Sequence, residues 1–344
     1  MKRFKVGIIG CGGIAQTHRD ALFACPDAEI AAVCDIVPER AEAMAKGIRQ
    51  DNPLNGPVRV FENWREMLAV RDLDSVHLCT PHFLHAEMAI EAMKAGKHVL
   101  TEKPMAISVS DAVEMNRISA ETGMRLGVCF QNRYNATSRR MRAILDSGVV
   151  GAVRGGRAFV TWNRGTDYYA SGPWRGTWKE EGGGVMINQA IHTLDLMQWM
   201  LGRPVSLKGS IDTRLLSGII EVEDTAEALI RFEKGVNGIF FATNNYCTDA
   251  PIQFDIVCER ATLRLDDVLT IRYDDGETET VTESVIATGE KAYWGCGHTV
   301  LVADWYRAMK AGETFPIDGE TALTTLKLVL GIYESSRIGE AITI

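Results

Sequence analysis

Apolar residues run almost unbroken from Phe4 to Ile9, stop at Gly10, and give way to a stretch whose apolar positions fall three and four apart. A continuous apolar run reads as a strand buried on both faces, and the wider spacing as a helix with one buried side. The pairing recurs. "AEIAAVCDI" is a second strand ending at Asp35, "DSVHLCTP" another ending at Thr80-Pro81, and "HAEMAIEAMKAG" the helix that follows, closed by Gly96; "KHVLTEKP" and "MRLGVCFQNRY" are two further strands. Strands alternating with helices predict a parallel, doubly wound α/β sheet, in which ligands bind beyond the carboxyl ends of the strands. Thr80, Lys103 and Gln131 stand at such ends.

Beyond residue 131 the period changes. After a helix, "ATSRRMRAILDSG", and a strand from Val153 to Trp162, the segments "VSLKGSIDTRLL", "DTAEALIRFEKGVNGIFFATNNY", "IQFDIVCERATLRLDD" and "VLTIRYDDG" alternate with period two. Lys-Gly and Asp-Gly pairs separate them, which predicts hairpins in a largely antiparallel sheet with one covered face. Two helices, Thr299 to Lys310 and Glu320 to Ile338, close the chain. The division expected is therefore 1–130 and 131–344, an α/β domain followed without a flexible tether by an α+β domain, with the C-terminal helix packing back on the first.

Composition narrows the class. At 344 residues the chain exceeds the size at which a single core stops growing, and 46% hydrophobic with 24% charged residues suits a globular protein. A net charge of −8 argues against nucleic acid or an anionic membrane as partner. No apolar stretch reaches the roughly 18 to 20 residues that span a bilayer, and "MKRFKVGIIG" holds too short an apolar core for a signal peptide. A cytoplasmic location is expected. Cys11, Cys25, Cys34, Cys79, Cys129, Cys247, Cys258 and Cys296 are scattered, with no Cys-x-x-Cys pair, so buried free thiols are expected. His82 and His85 lie close together, but only Glu87 accompanies them, and no metal is expected.

The glycine turn carries the first chemistry. Gly10, Gly12 and Ala15 form Gly-x-Gly-x-x-Ala between strand and helix: one glycine for the tight turn, one for backbone approach to a pyrophosphate, and a small residue for close helix packing. Helix N–H groups then face the phosphates. Asp35, about twenty residues on, is placed to accept from the ribose hydroxyls. A carboxylate there repels a 2′-phosphate, favouring NAD over NADP, although Arg40 stands nearby.

The stretch "EEGGGVMINQAIHTLDLMQWMLG", Glu180 to Gly202, raises the second question. Helical spacing puts Ile187, Ile191, Leu194 and Leu201 on a buried side and Asn188, His192 and Asp195 on another, with Gly182 to Gly184 expected to bring backbone close to a ligand. A histidine suits proton transfer near neutrality. Asn188 can donate and accept but cannot exchange a proton as a carboxylate does. Asp195 can orient the imidazole, or pair with an arginine such as Arg203. The loop 163–179 adds Tyr168, Tyr169, Trp174, Arg175 and Trp178, aromatic faces and a planar donor of the kind that line carbohydrate sites.

Taken together, Gly10-Cys11-Gly12-Gly13-Ile14-Ala15, "CTPHFLH" at Cys79 to His85, Glu102-Lys103-Pro104 and "EGGGVMINQAIHTLD" resemble the glucose–fructose oxidoreductase, inositol dehydrogenase and rhizopine catabolism (Gfo/Idh/MocA) family over nearly the full length. The resemblance implies a Rossmann domain, an open-faced, largely antiparallel mixed sheet that mediates a homodimer or homotetramer, tightly held NAD(P), and hydride transfer at a secondary hydroxyl of a sugar, sugar derivative or cyclitol. It implies that Lys103 touches both substrate hydroxyl and nicotinamide ribose, that His192 is the acid/base, and that Trp174-Arg175 approaches the nicotinamide. The cofactor would then be lined by Gly10, Gly12, Gly13, Ile14, Ala15, Asp35, Arg40, Thr80, Pro81, His85, Glu102, Lys103, Gln131, Trp174 and Arg175. The family's usual aspartate one turn before the histidine is Asn188 here. Substrate contacts are expected from Lys103, Asn188, His192, Tyr168, Trp174 and Arg175. Two alternatives stay open on the same fold: an NAD-dependent glycoside hydrolase working by transient oxidation and elimination, and a non-catalytic NAD-sensing protein.

Overall fold

A computed structural model describes residues 3–283 and 297–344, which fall into two compact units. Cys296 lies outside the described residues. The first unit holds β1 (Phe4–Ile9), β2 (Ala28–Cys34), β3 (Arg59–Phe61), β4 (Ser75–Leu78), β5 (His98–Thr101) and β6 (Leu126–Val128). All pair in parallel, in the order β3-β2-β1-β4-β5-β6. Val6, Ile8, Val33, Val76, Leu78, Val99 and Leu100 are wholly buried, as a sheet covered by helices on both faces requires. The strand order reverses between β1 and β4, and a reversal of that kind opens a crevice at the carboxyl ends of the strands. The apolar pattern does not reveal β3, a three-residue edge strand with its first two residues exposed. It also passes over the Val109–Thr122 helix, started by the Ser108 side chain accepting from the Asp111 N–H.

Residues 297–323 belong to this first unit, although the sequence pattern grouped them with the second. The reason is apolar packing. The Gly297–Ala311 helix lies against the Gly13–Phe23 helix, Trp305 sits edge-on to Phe315 at 5.1 Å, and the Val128 N–H donates to the Ile317 carbonyl at 3.0 Å. A Cβ on Gly127 would stand 2.8 Å from Trp305, so the bare strand position is what admits the indole.

The second unit, 130–283 with 324–344 among the described residues, is built on β7 (Val153–Thr161), β8 (Pro204–Asp212), β9 (Thr225–Phe232), β10 (Asn237–Thr243), β11 (Gln253–Cys258), β12 (Ala261–Asp266), β13 (Val268–Tyr273), β14 (Thr278–Val281) and β15 (Ile342–Thr343). Their order is β14-β13-β12-β11-β7-β10-β9-β8-β15, with β7 and β10 parallel and the other described pairs antiparallel. The β9–β10 hairpin turns at Lys234-Gly235, both left-handed at φ 59° and 78°. Ala226, Ala228, Ile230 and Phe232 of β9 point into the core beneath the Ile191–Leu201 helix, which rests on β7 and β10. The other face stays open: Leu229, Ile239 and Val257 remain 46%, 54% and 47% exposed. No helix among the described residues is long and apolar enough to cross a membrane.

Candidate functional site

In the first unit the glycine turn after β1 is shaped by two opposite demands. Gly10 has φ +88°, and a Cβ there would meet the Cys79 carbonyl at 2.5 Å, so this glycine is required by the fold. At Gly12 and Gly13 a Cβ would meet nothing within 4 Å. Gly12 caps the Gly13–Phe23 helix without any side-chain cap, and no acidic residue enters its first turn. The helix thus presents unsatisfied N–H groups and a positive end to open space, the physical requirement for a pyrophosphate. Ala15 is fully buried against the sheet, and Ile14 is half-buried. Asp35 closes the turn: its Oδ2 accepts from the Cys11 N–H at 2.8 Å and its Oδ1 from the Val37 N–H at 2.9 Å. The carboxylate therefore ties β2 to the glycine loop and still has lone pairs beyond the two these bonds use. Arg40 is exposed on the first turn of the Pro38–Asp51 helix.

Glu102 and Lys103 at the end of β5 are buried, and they are cross-tied to the half-buried Thr80-Pro81 at the end of β4. The Glu102 carboxylate accepts from His18 Nε2 at 2.9 Å and from the Lys103 N–H at 3.3 Å, with His298 Nε2 at 3.5 Å. Burial opposes its charge, but His18 and His298 prevail and hold it well below the usual carboxylate range. Behind it, His18 Nδ1 meets His77 Nδ1 at 2.8 Å, and His77 Nε2 meets the Tyr306 hydroxyl at 2.8 Å. Burial, then His18, keeps His77 well below the ordinary imidazole value. His85 has both ring nitrogens against carbonyls, of Pro104 at 2.7 Å and Thr80 at 2.8 Å, so it staples together the two strand ends that carry Thr80-Pro81 and Lys103. His82 approaches His85 with ring centroids 5.9 Å apart. The one group among the described residues with the spacing of a metal site is a different one, His18, Glu102 and Cys129, whose ligand atoms lie within 4.8 Å of one another. Burial pushes the Cys129 thiol up to about 12, the protonated form rather than the ligating one.

In the second unit, Met186–Ala190 forms a π-helical turn that runs directly into the Ile191–Leu201 helix. Wide turns of this kind redirect side chains and are frequent at functional sites. The α-helical phase that put Asn188 and His192 on one stripe is therefore interrupted. Asn188 Nδ2 donates to Glu181 Oε1 at 2.6 Å and to the Tyr168 hydroxyl at 3.1 Å. Gln189 Nε2 and Arg175 also donate to that hydroxyl, at 2.9 and 2.5 Å. The Arg175 guanidinium lies over both Tyr168 and Trp174, 4.4 and 4.5 Å from the ring centroids. His192 is 5% exposed, with Phe130 edge-on at 5.9 Å.

Several expectations are redistributed by this geometry. Asp195 is held in a buried two-pronged pair with Arg133, at 2.7 Å on both oxygens, with Thr325 adding a hydroxyl at 2.8 Å. Arg203 pairs instead with Glu233. Of the aromatic loop, Tyr168, Trp174 and Arg175 cluster together. Tyr169 is buried against Asn244, and the Trp178 indole donates to the Glu221 carbonyl and edges onto Tyr333. Gln131 begins a short 3₁₀ turn, 1% exposed. The glycine run meets protein, not open space: a Cβ on Gly184 would overlap the Glu223 carbonyl at 1.8 Å, and one on Gly183 the Tyr333 hydroxyl at 2.0 Å. Glu181 opens the glycine-run motif but was given no role there, while Glu223, Tyr333, Arg133 and the His18–His77–Tyr306 chain carry no motif and the sequence offered no signal for them.

A doubly wound sheet with an open, uncapped glycine turn, followed by a mixed-sheet unit carrying a buried histidine on a reshaped helix, is the arrangement of a two-domain member of an NAD-binding oxidoreductase family. The chain belongs to the Gfo/Idh/MocA oxidoreductase family. Residues 4–130 match the model described as oxidoreductase family, NAD-binding Rossmann fold, and residues 138–264 match the GFO/IDH/MocA C-terminal domain. The inositol 2-dehydrogenase 3 of Saccharopolyspora erythraea is 28% identical over 91% of this chain and 95% of its own. The D-apiose dehydrogenase of Paraburkholderia graminis is 26% identical over 99% and 90%. Other curated relatives align over less of themselves: the chain spans 66% of the 1,5-anhydro-D-fructose reductase of Ensifer adhaerens at 29% identity, and 54% of the D-glucoside 3-dehydrogenase of Escherichia coli at 30%. Among solved structures, the WlbA dehydrogenase of Bordetella pertussis, in complex with NADH and UDP-GlcNAcA, superimposes with a TM-score of 0.86 at 29% identity, covering 100% of this chain and 98% of that one. The family thus includes sugar and inositol dehydrogenases, and its Rossmann domain binds NAD.

Proposed function

We propose that the protein oxidises a secondary hydroxyl of an unphosphorylated sugar, sugar derivative or cyclitol, with NAD as hydride acceptor. The observation that carries this reading is the nucleotide turn: Gly12 and Gly13 open to ligand, Asp35 clamping the loop, and Lys103 at the end of β5 in the same unit, its backbone N–H bonded to the Glu102 carboxylate. Asp35 favours NAD over NADP because its carboxylate repels a 2′-phosphate.

The carbinol needs its hydroxyl proton removed as the hydride departs, with reacting atoms about 3 to 3.5 Å apart. In this reading His192 takes that proton, and the Lys103 ammonium stabilises developing charge on the oxygen. Tyr168, Trp174 and Arg175 supply an aromatic and cationic wall for the ring, and Asn188, engaged by Glu181, orients a hydroxyl rather than relaying a proton. The assembly expected is a homo-oligomer through the open face of the nine-stranded sheet.

His192→Ala should lower turnover by about 100- to 10,000-fold, the usual worth of general base catalysis, with NADH binding retained. Near-normal turnover would sink the assignment. The substrate is found with a panel of sugars, anhydrosugars, inositols and nucleotide sugars, followed by NADH absorbance; release of an aglycone without net NADH would identify the glycoside hydrolase instead.

A further inference from the structure

The first N–H groups of any helix lack partners within it. Where the chain enters the π-turn, three consecutive ones are taken by a single residue far away in sequence. Gly184 N–H donates to Glu223 Oε2 at 2.8 Å, Val185 N–H to the Glu223 backbone carbonyl at 3.1 Å, and Met186 N–H to Glu223 Oε1 at 2.9 Å. The Tyr333 hydroxyl adds a fourth bond, to Oε1 at 2.9 Å. Glu223 is 1% exposed, and the absent side chains of Gly183 and Gly184 are what let Tyr333 and Glu223 come this close.

We propose that Glu223 is a positioning residue for His192: its carboxylate, clamped on Gly184, Met186 and Tyr333, fixes the entry of the π-turn and thereby the direction in which Asn188 and the imidazole are presented. This deepens the reading of His192 as acid/base and rests on it. The clamp also depends on protonation. An ionised carboxylate accepts all three side-chain bonds, whereas a protonated one must turn a hydroxyl toward a donor and forfeit an acceptor. The groups facing it are Tyr333 and Tyr169, each of which also feels Glu181; the neighbouring Asp224 is turned to the N–H groups of Arg214, Leu215 and Leu216. Burial first, against the Met186 and Gly184 N–H bonds, raises the Glu223 carboxyl from 4.5 to about 7. A carboxyl raised in the folded state contributes stability that is fully present below the unfolded value and is lost as pH climbs through about 7. Stability and presentation of His192 therefore run in opposite directions with pH.

The test is Glu223→Gln, with Tyr333→Phe as the gentler variant, assayed on whichever panel substrate supports turnover. Gln cannot accept from both N–H groups, so kcat is expected to fall about tenfold or more while KM and NADH affinity stay within about threefold. Tyr333→Phe should move kcat the same way by a smaller factor, and the decline of thermal midpoint between pH 4.5 and about 7 should flatten in Glu223→Gln. If kcat stays within about twofold, or if kcat, KM and NADH affinity deteriorate together in both variants, the positioning role is overturned. Should Glu223→Gln fail to fold, the kcat of Tyr333→Phe decides by the same criterion. An inactive His192→Ala beside an unaffected Glu223→Gln refutes the positioning alone; an active His192→Ala refutes the acid/base reading beneath it.

Discussion

Two glycine runs in this chain look alike and serve opposite ends. At Gly12 and Gly13 the space a side chain would fill is open, the backbone of Gly12 is in an ordinary extended conformation (φ −77°, ψ −166°), and a helix end faces outward uncapped. At Gly183 and Gly184 the same space is already taken by the Tyr333 hydroxyl and the Glu223 carbonyl, and three N–H groups of the helix entrance are capped from inside. The first run makes room for a ligand. The second makes room for the protein, which uses it to fix the entry of the helix that bears His192. Glycine content alone therefore says nothing about whether a loop binds.

The contrast can be broken by substitution. The largest effect is expected at Gly184→Ala: backbone cannot yield to a Cβ 1.8 Å from a carbonyl oxygen, so destabilisation of about 3 kcal/mol or more is expected, read as a lower midpoint in denaturant melts. Gly183→Ala should cost less, about 2 kcal/mol, because the atom in the way is the far end of Tyr333, although a φ of +147° adds strain. Gly12→Ala should leave the melting midpoint nearly unchanged, within about 1 kcal/mol, since its backbone geometry suits alanine. Its effect appears in NADH titration, weakened about tenfold by lost backbone approach. A Gly12→Ala that unfolds the protein, or a Gly184→Ala as stable as the parent, would erase the distinction.

The same contrast explains which features were legible in the chain. The parallel strands β1, β2, β4, β5 and β6 announce themselves because strands buried on both faces leave continuous apolar runs, and the turn at Gly10 because a tight turn and close helix packing demand small residues at fixed spacing. The hairpin at Lys234-Gly235 follows from left-handed backbone that glycine tolerates. Strand β3 left no such trace, being short and exposed, and residues 297–323 were assigned to the wrong unit because an amphipathic helix does not record which surface covers its apolar side.

His192 was visible as a lone imidazole on an apolar helix, but its surroundings were not. Asp195 stood equally as a group to orient it or as half of an ion pair, and the structure commits that carboxylate to Arg133, 62 positions away in sequence. Local sequence thus determined most of the elements, the nucleotide turn and the resemblance to an oxidoreductase family, because propensity, periodicity and turn geometry act between neighbours. Only the tertiary structure decided the partners of each buried charge, the π-turn before His192, and the reason for Gly183 and Gly184. Burial strips water from a polar group and obliges it to find a partner wherever the fold brings one, and Glu223, Tyr333 and Arg133 come from positions that no short-range pattern connects.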